Sequence, residues 1–379
     1  MESMNKEKLM FYRIFFIFTG KIPIKAVTVL NQIKLKNDFY KRCGVGSNHL
    51  VFSKVGALCT LLGHKELKNS EFLSCTLSMS VQTAAHRVDS GIIKIEDNRS
   101  GAYSAFCLNS LIPDKSTIYK IVSRFSDMRS FGAEILYDSA LPQGVGEISF
   151  NAAILNSLLK LADIEKDIAT KAAMCAGGQN IAPYTAVFSA KKGYCSIVCD
   201  TRHELFPLPI TGYKILLIQT ETSKDEFIRA SQKAFYVIRR HFPHVTSFSA
   251  ITPDILEECS KYLRTADIKY LRHIISENAR IENARKCLKS CLISRFAEIV
   301  NASQTSLESC RAVNAERQFI ANILRSLDGC LCARQEDNTI AAIVYENAVD
   351  SIINNLRFSF TARFGYEPLF YVADTCDTN

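Results

Sequence analysis

Leu141-Pro142-Gln143-Gly144-Val145-Gly146 opens a long apolar-periodic segment from Ser149 to Ile164, and this junction decides how the rest of the chain is read. Glycines let a backbone pass close to a bound group and take up positive φ. The start of a helix adds unpaired N–H groups and the positive end of the helix dipole, which together suit a phosphate. Taken alone, the same letters also describe an ordinary strand-to-helix turn.

Upstream of the loop the pattern is strand-like. Leu50-Val51-Phe52, the run from Phe72 to Val81 and Gly91-Ile92-Ile93-Lys94-Ile95 are separated by polar turns such as Glu96-Asp97-Asn98. Between 116 and 136, Ile118, Ile121, Val122 and Phe125 recur at helical spacing. Downstream, Thr185-Ala186-Val187-Phe188 and the run from Tyr194 to Cys199 read as a hairpin about Lys191-Lys192-Gly193, and the run from Tyr213 to Ile218 as a buried strand. Helical patterns then cover 224–241, 253–264, 268–289, 293–308 and 314–327. A strand at 339–345, a helix at 346–364 and a strand at 368–372 close the chain. The expectation is an α+β protein of two lobes: an N-terminal mixed-sheet lobe over 46–208 that carries the glycine loop, and a helix-rich lobe over 209–379. The lobes divide where Phe206-Pro207-Leu208-Pro209 punctuates the sequence.

The length of 379 residues suits two such units. Apolar residues at 47% and charged residues at 22% exclude a disordered chain, a collagen-like repeat and a coiled-coil rod. Trp is absent, but 23 Phe and 14 Tyr supply core volume. The net charge of +8 is spread over short clusters such as Lys191-Lys192 and Arg239-Arg240-His241, so no nucleic-acid partner is expected, although the charge would help hold phosphorylated small molecules. The 14 cysteines are irregularly spaced with no C-x-x-C pair, which reads as thiols in a reducing cytoplasm rather than a zinc site or a disulfide framework. Residues 1–45 read as a leader. Lys6 and Lys8 precede the apolar run from Leu9 to Phe18, but Arg13 interrupts it and ten residues cannot cross a bilayer, so no membrane association is expected.

The L-P-x-G-x-G signal at a helix start, after about ninety residues of strands and one helix, resembles the phosphate loop of the GHMP small-molecule kinases, most of all the galactokinases. Phe52-Ser53-Lys54-Val55-Gly56 with Leu61-Leu62-Gly63-His64 is similar to the family's sugar-gripping segment, F-S-A-P-G-R-x-N/E-L-I-G-E/N-H-T-D. Cys175 through Gln179 sits where the family has C-G-x-M-D-Q. Arg272-His273 with Ser276-Glu277-Asn278 resembles its R-x-x-H-x-x-x-E-N-x-R helix, continued by the run from Phe296 to Ser303, and the tail from Phe364 to Val372 resembles its last helix and strand. The likeness spans about 50 to 374. It implies a two-lobed GHMP-kinase-like fold, ATP and Mg2+ as cofactors, and phosphorylation of galactose at its C1 hydroxyl. By the same resemblance Gly144, Gly146 and Ser149 would cradle nucleotide phosphates, Ser149 would also meet the metal, and His64 and Glu66 would hold the hexose.

Departures from the family pattern fall on the chemistry. The family's Asp, the proposed base or electrostatic partner of the sugar hydroxyl, reads here as Gly178, with one residue deleted, and its Arg reads as Ala57. Phosphoryl transfer relies on positioning and charge stabilisation, so losing both argues against ordinary turnover. Of the loop hydroxyls only Ser149 survives, beside Glu147 and Phe150; a carboxylate 4 Å from a triphosphate repels it by roughly 1–4 kcal/mol. The family's G-G-G-F-G-G loop is replaced by the run from Ala333 to Thr339, which reads as an exposed turn. Two readings result. One is a galactose kinase in which Arg87, Asp89 or Asp200 fills the vacated space. The other is a non-catalytic galactokinase homologue that senses a sugar or nucleotide or binds a protein partner.

Overall fold

The computed structural model describes residues 32–44, 50–110, 116–128, 130–142, 146–220, 226–310, 312–336 and 338–378. Helix α1 (Gln32–Cys43) precedes β1 (Val51–Gly63), β2 (Phe72–Val88), β3 (Ile92–Asp97), β4 (Tyr103–Cys107), the short helix α2 (Thr117–Val122) and β5 (Gly132–Ser139). Helices α3 (Glu147–Leu161), α4 (Ile168–Ala176) and α5 (Ala182–Phe188) lead to a hairpin of β6 (Tyr194–Cys199) and β7 (Arg202–Pro207). These strands form one mixed sheet in the order β4-β3-β5-β2-β6-β7, with β1 paired along β2. Only β3 and β5 run parallel. The 17-residue β2 is its spine: it pairs with β1 between Phe72 and Ala85, with β5 over Val81–Val88 and with β6 over Phe72–Ser74.

The rest of the chain is β8 (Tyr213–Gln219), helices α6 (Glu226–His241), α7 (Pro253–Cys259), α8 (Thr265–Lys289), α9 (Ile293–Ser309) and α10 (Ala315–Ser326), hairpin β9 (Cys330–Glu336) and β10 (Thr339–Tyr345), then α11 (Val349–Phe364) and β11 (Leu369–Ala373). Its sheet, β11-β8-β10-β9, is fully antiparallel. The expected α+β class holds, with a mixed sheet first and a helix-rich part after it.

The alternating burial of strands and helices explains the layers. Leu216, Ile218 and Ala342 face α10 and α11, while Ile215, Leu217 and Ile343 on the same strands face the other way. That second face packs with Leu61, Leu73 and Leu77 of the first sheet and with Phe296 and Val300 of α9, so one apolar core joins the two sheets. Helix α3 is apolar nearly all round and buried from Asn151 to Leu159, as a central helix must be. Gly56 has to lack a side chain, because a Cβ there would collide with the Leu77 carbonyl and the Cys376 thiol of the returning tail. That tail is fixed by Cys376 N–H donating to the Thr76 carbonyl at 2.9 Å.

Three sequence expectations are corrected. Residues 182–188 are a helix, not the first arm of a hairpin; the hairpin is β6–β7, closed by Asp200 at φ +53°. A short, wholly buried apolar run carries no periodicity to separate helix from strand, and Pro183 in the first turn favours the helix. The helical reading of 116–136 holds only to Phe125, after which Gly132–Ser139 is a strand beside β2. The exposed turn at 333–339 is instead the buried end of the β9–β10 hairpin, with Arg334 2%, Glu336 6% and Asn338 8% exposed.

Candidate functional site

The site forms where β1 ends. Gly63 leaves the strand at φ +73° and begins the turn that carries His64, Lys65 and Glu66. Three elements converge on this turn: α8, the end of the β9–β10 hairpin, and the first turn of α6. Between them lies a cavity of about 280 Å3 whose walls include Thr60, His64, Lys65, Glu66, Phe227, Arg229, Arg334 and Glu336.

Helix α8 contributes His273, Glu277 and Arg280, spaced i, i+4 and i+7 and therefore on one face. Gly63 N–H donates to Glu277 Oε2 at 2.7 Å, and Arg280 donates to Glu277 Oε1 at 2.6 Å. Arg334 donates to the Gly63 carbonyl at 2.6 Å and to Ser303 Oγ at 2.9 Å, and stands 3.5 Å from Glu277. The Glu336 carboxylate accepts from the Lys65 ammonium and from the Thr60 N–H, all three groups being buried. An isolated ion here would be costly; the pairing and the extra backbone donors are what make the arrangement tolerable.

His64 and His273 meet Nε2 to Nε2 at 2.9 Å, so one imidazole donates and the other accepts, and His273 Nδ1 lies 2.8 Å from Ser306 Oγ. Burial pushes both imidazoles toward the neutral form. His273 falls to about 4, and His64 goes well below its ordinary value with help from His273 and Arg334. Burial opposes ionisation of Glu277, yet His273, Arg334, His64 and Arg280 together outweigh it and bring the carboxyl down to about 2. The Phe227 ring packs 4.9 Å from His64 and supplies an apolar wall. Thr60 Oγ1 is buried and has no hydrogen-bond partner among the described residues.

The sequence-derived residues divide between this cavity and a second region. His64 and Glu66 line the cavity. Gly178, in the turn after α4, has open space where a side chain would be, and two residues on Asn180 Nδ2 donates to the Lys65 carbonyl at 2.7 Å. Ala57 is only 1% exposed and belongs to the apolar core. Gly146 caps α3 at φ +114°, with the Leu141 side chain packed where a Cβ would sit. Ser149 is fully buried and its Oγ donates to the Gly56 carbonyl at 2.7 Å. Phe150 packs edge-on against Tyr137 at 4.8 Å, and Glu147 is exposed in the first turn of α3. This set does not fit a nucleotide–Mg2+ pair: the one retained hydroxyl is already donating, and a carboxylate and an aromatic ring stand where further donors would be needed. Gly144 lies outside the described residues.

None of the three candidate substitutes stands at Ala57. Arg87 and Asp89 pair with each other at 3.6 Å, ten residues along β2 from Leu77, the partner of Ala57, which is about 30 Å of strand. Asp200 occupies the β6–β7 turn, beyond the Phe72–Val198 pair. The residues that sequence reasoning missed are Lys65, Arg334 and Glu336. The signal available for the last two was a pair of charges at i and i+2 in the run Cys330–Glu336, which holds no Gly, Pro, Asn or Asp.

Profile models of protein families give no match to the chain. The galactokinase of Clostridium beijerinckii is 23% identical over 90% of this chain and 97% of its own length. That of Halalkalibacterium halodurans is 22% identical over 65% and 69%, and that of Streptococcus suis is 35% identical over a shorter stretch, 28% and 29%. Among solved structures, Lactococcus lactis galactokinase complexed with galactose superposes with a TM-score of 0.78 at 16% identity, covering 92% of this chain and 99% of that one. Methanococcus jannaschii mevalonate kinase gives 0.60 at 11% identity, covering 88% and 99%. The mixed sheet with its central helix and the helix-rich antiparallel part are thus the fold of the GHMP small-molecule kinases. Within that class the chain is galactokinase-like, its sequence likeness to galactokinases extending over nearly its whole length.

Proposed function

We propose that this protein is a non-catalytic galactokinase homologue that holds a galactose-type hexose in the cavity at the end of β1. The observation that carries the proposal is the buried Glu336 carboxylate, held by Lys65 and the Thr60 N–H. It ties the sugar-side turn to the β9–β10 hairpin with fixed charge, at the position where the resemblance calls for a glycine loop that closes over substrate. His64 and Glu66 line the cavity, the partnerless Thr60 hydroxyl is there for a polyol to engage, and Phe227 offers a sugar ring an apolar face. ATP and Mg2+ belong to the family resemblance, and the Ser149, Glu147 and Phe150 arrangement weighs against both. A division into lobes at 46–208 and 209–379 goes with this reading, as does a cytoplasmic location, which the 14 unpaired cysteines support. No described helix is long and apolar enough to cross a membrane.

A second reading, galactose kinase activity, is favoured by one feature, the Gly146 cap that preserves a loop-to-helix junction suited to phosphate. Calorimetric titration of the purified protein with galactose and with Mg-ATP tests the two. The proposal expects galactose binding that weakens in Thr60→Val, and no Mg-ATP binding. Mg-ATP binding that is tightened by galactose supports the kinase, and no binding of either ligand removes both readings.

A further inference from the structure

The stretch from Phe227 to Pro253 contains no Asp or Glu, yet it carries Arg229, Lys233, Arg239 and Arg240. In α6 the positions that bury are Phe227, Ser231, Ala234 and Ile238, and the helix lays them against α8. The opposite face therefore gathers Arg229, Lys233, Tyr236 and Arg240 at spacings of four, three and four, an exposed stripe about 16 Å long. Tyr236, at its middle, is 74% exposed. Several cations on other elements are neutralised locally: Arg42 by Glu96, Arg99 by Asp138, Arg285 by Glu71, Glu204 and Glu282, Arg325 by Glu308. Arg229, Lys233, Arg239 and Arg240 form no ion pair with any described residue.

We infer that this face of α6 is a docking surface for a protein partner that presents an acidic amphipathic helix. Carboxylates at i, i+4 and i+11 with an apolar side chain at i+7 repeat the spacing of Arg229, Lys233 and Arg240 about Tyr236, an aromatic anchor flanked by charge. The neighbouring surface separates this partner from a nucleic acid. Helix α7 packs against α6 and exposes Asp254, Glu257 and Glu258 on this adjoining element. A continuous polyanion would be repelled there, whereas a folded partner can answer both signs. The inference is independent of whether the cavity turns over substrate.

The test uses the full chain and a fluorescein-labelled helical peptide bearing Glu at i, i+4 and i+11 with a Leu at i+7, followed by polarisation at low and physiological salt. Three variants on exposed positions accompany it, each checked by circular dichroism: R240E, Y236A and R124E, the last a charge reversal of equal size away from α6. The expected result is peptide binding that R240E weakens about tenfold. Y236A should weaken it several-fold without changing the salt dependence, and R124E should leave it intact. Absence of binding overturns the inference, as does an equal effect of R124E and R240E, which would reduce it to net charge. Tighter binding of single-stranded oligonucleotide or of phosphatidylserine vesicles, lost in R240E, overturns it in favour of those partners.

Discussion

At the Gly63–Glu66 end, side chains from β1, α8, α9 and β9 meet as charges and imidazoles around a cavity, and the Thr60 hydroxyl has no partner among the described residues. At the Gly146–Phe150 end, the surviving hydroxyl is bound to backbone, an aromatic ring is packed on Tyr137, and an acid sits in the first helical turn. The two ends differ in how their polar groups are engaged. One lines a cavity, and the other has turned its groups toward the fold. On the proposed function, that difference is what would let the protein hold a sugar without turning it over.

The sharpest way to break this contrast is Glu336→Ala. It removes the carboxylate that pairs with the buried Lys65 ammonium, and an expected loss of about 3–5 kcal/mol should appear in urea unfolding. A Lys65→Met/Glu336→Leu double variant should recover most of that loss. A loss under 1 kcal/mol for Glu336→Ala would mean that the pair is open to water and the two ends are less different than described.

The imidazole pair gives the next effect. In the unfolded chain a histidine titrates near 6.5, whereas folded His273 titrates at about 4. The folded state then binds fewer protons than the unfolded state between those values, so this stability is complete above pH 6.5 and is lost as pH falls toward 4, on the order of 3 kcal/mol. His64, shifted in the same direction, adds to the loss. Thermal unfolding across pH 4–7 should show that decline, and His273→Asn should flatten it. An unchanged profile in the variant would place the proton uptake elsewhere.

Gly146→Ala probes the other end. At φ +114° an alanine is strained, and its methyl would meet the packed Leu141, so a loss of about 1–2 kcal/mol in unfolding is expected, with galactose binding retained. Ser149→Ala is the smallest change. It removes one buried hydrogen bond and leaves the Gly56 carbonyl short of a donor, about 1 kcal/mol, and it should leave ligand binding as it was. If Ser149→Ala abolished Mg-ATP binding, the hydroxyl would be a ligand group and the contrast between the ends would fall.

Much of the scaffold was legible in the residues because it obeys simple periodicities. Helices 226–241, 265–289 and 293–309 and strands 213–219 and 339–345 lie close to where spacing put them. Legibility failed where burial is complete. Ala182–Phe188 is buried from Ala182 to Val187 and gives no exposed face to detect, and the first strand runs to Gly63, well past the Phe52 that alternation suggested. His64 and Glu66 could be named because they sit in a contiguous motif, and both line the cavity. Glu336 was not, since its role depends on Lys65, 271 positions away, and no local pattern announces such a pair. The His273–Glu277 spacing did mark a shared helix face, but its partner His64 could be supplied only by the fold.

Single-turnover ADP release, at saturating galactose with protein in excess over a limiting amount of Mg-ATP, tests the central claim most directly. The account predicts no ADP above the rate of a protein-free control, from the same sample in which galactose alone raises the unfolding temperature. A burst of ADP stoichiometric with nucleotide would contradict it, and would require a carboxylate and a cation to reach the sugar hydroxyl in place of the groups absent at Gly178 and Ala57.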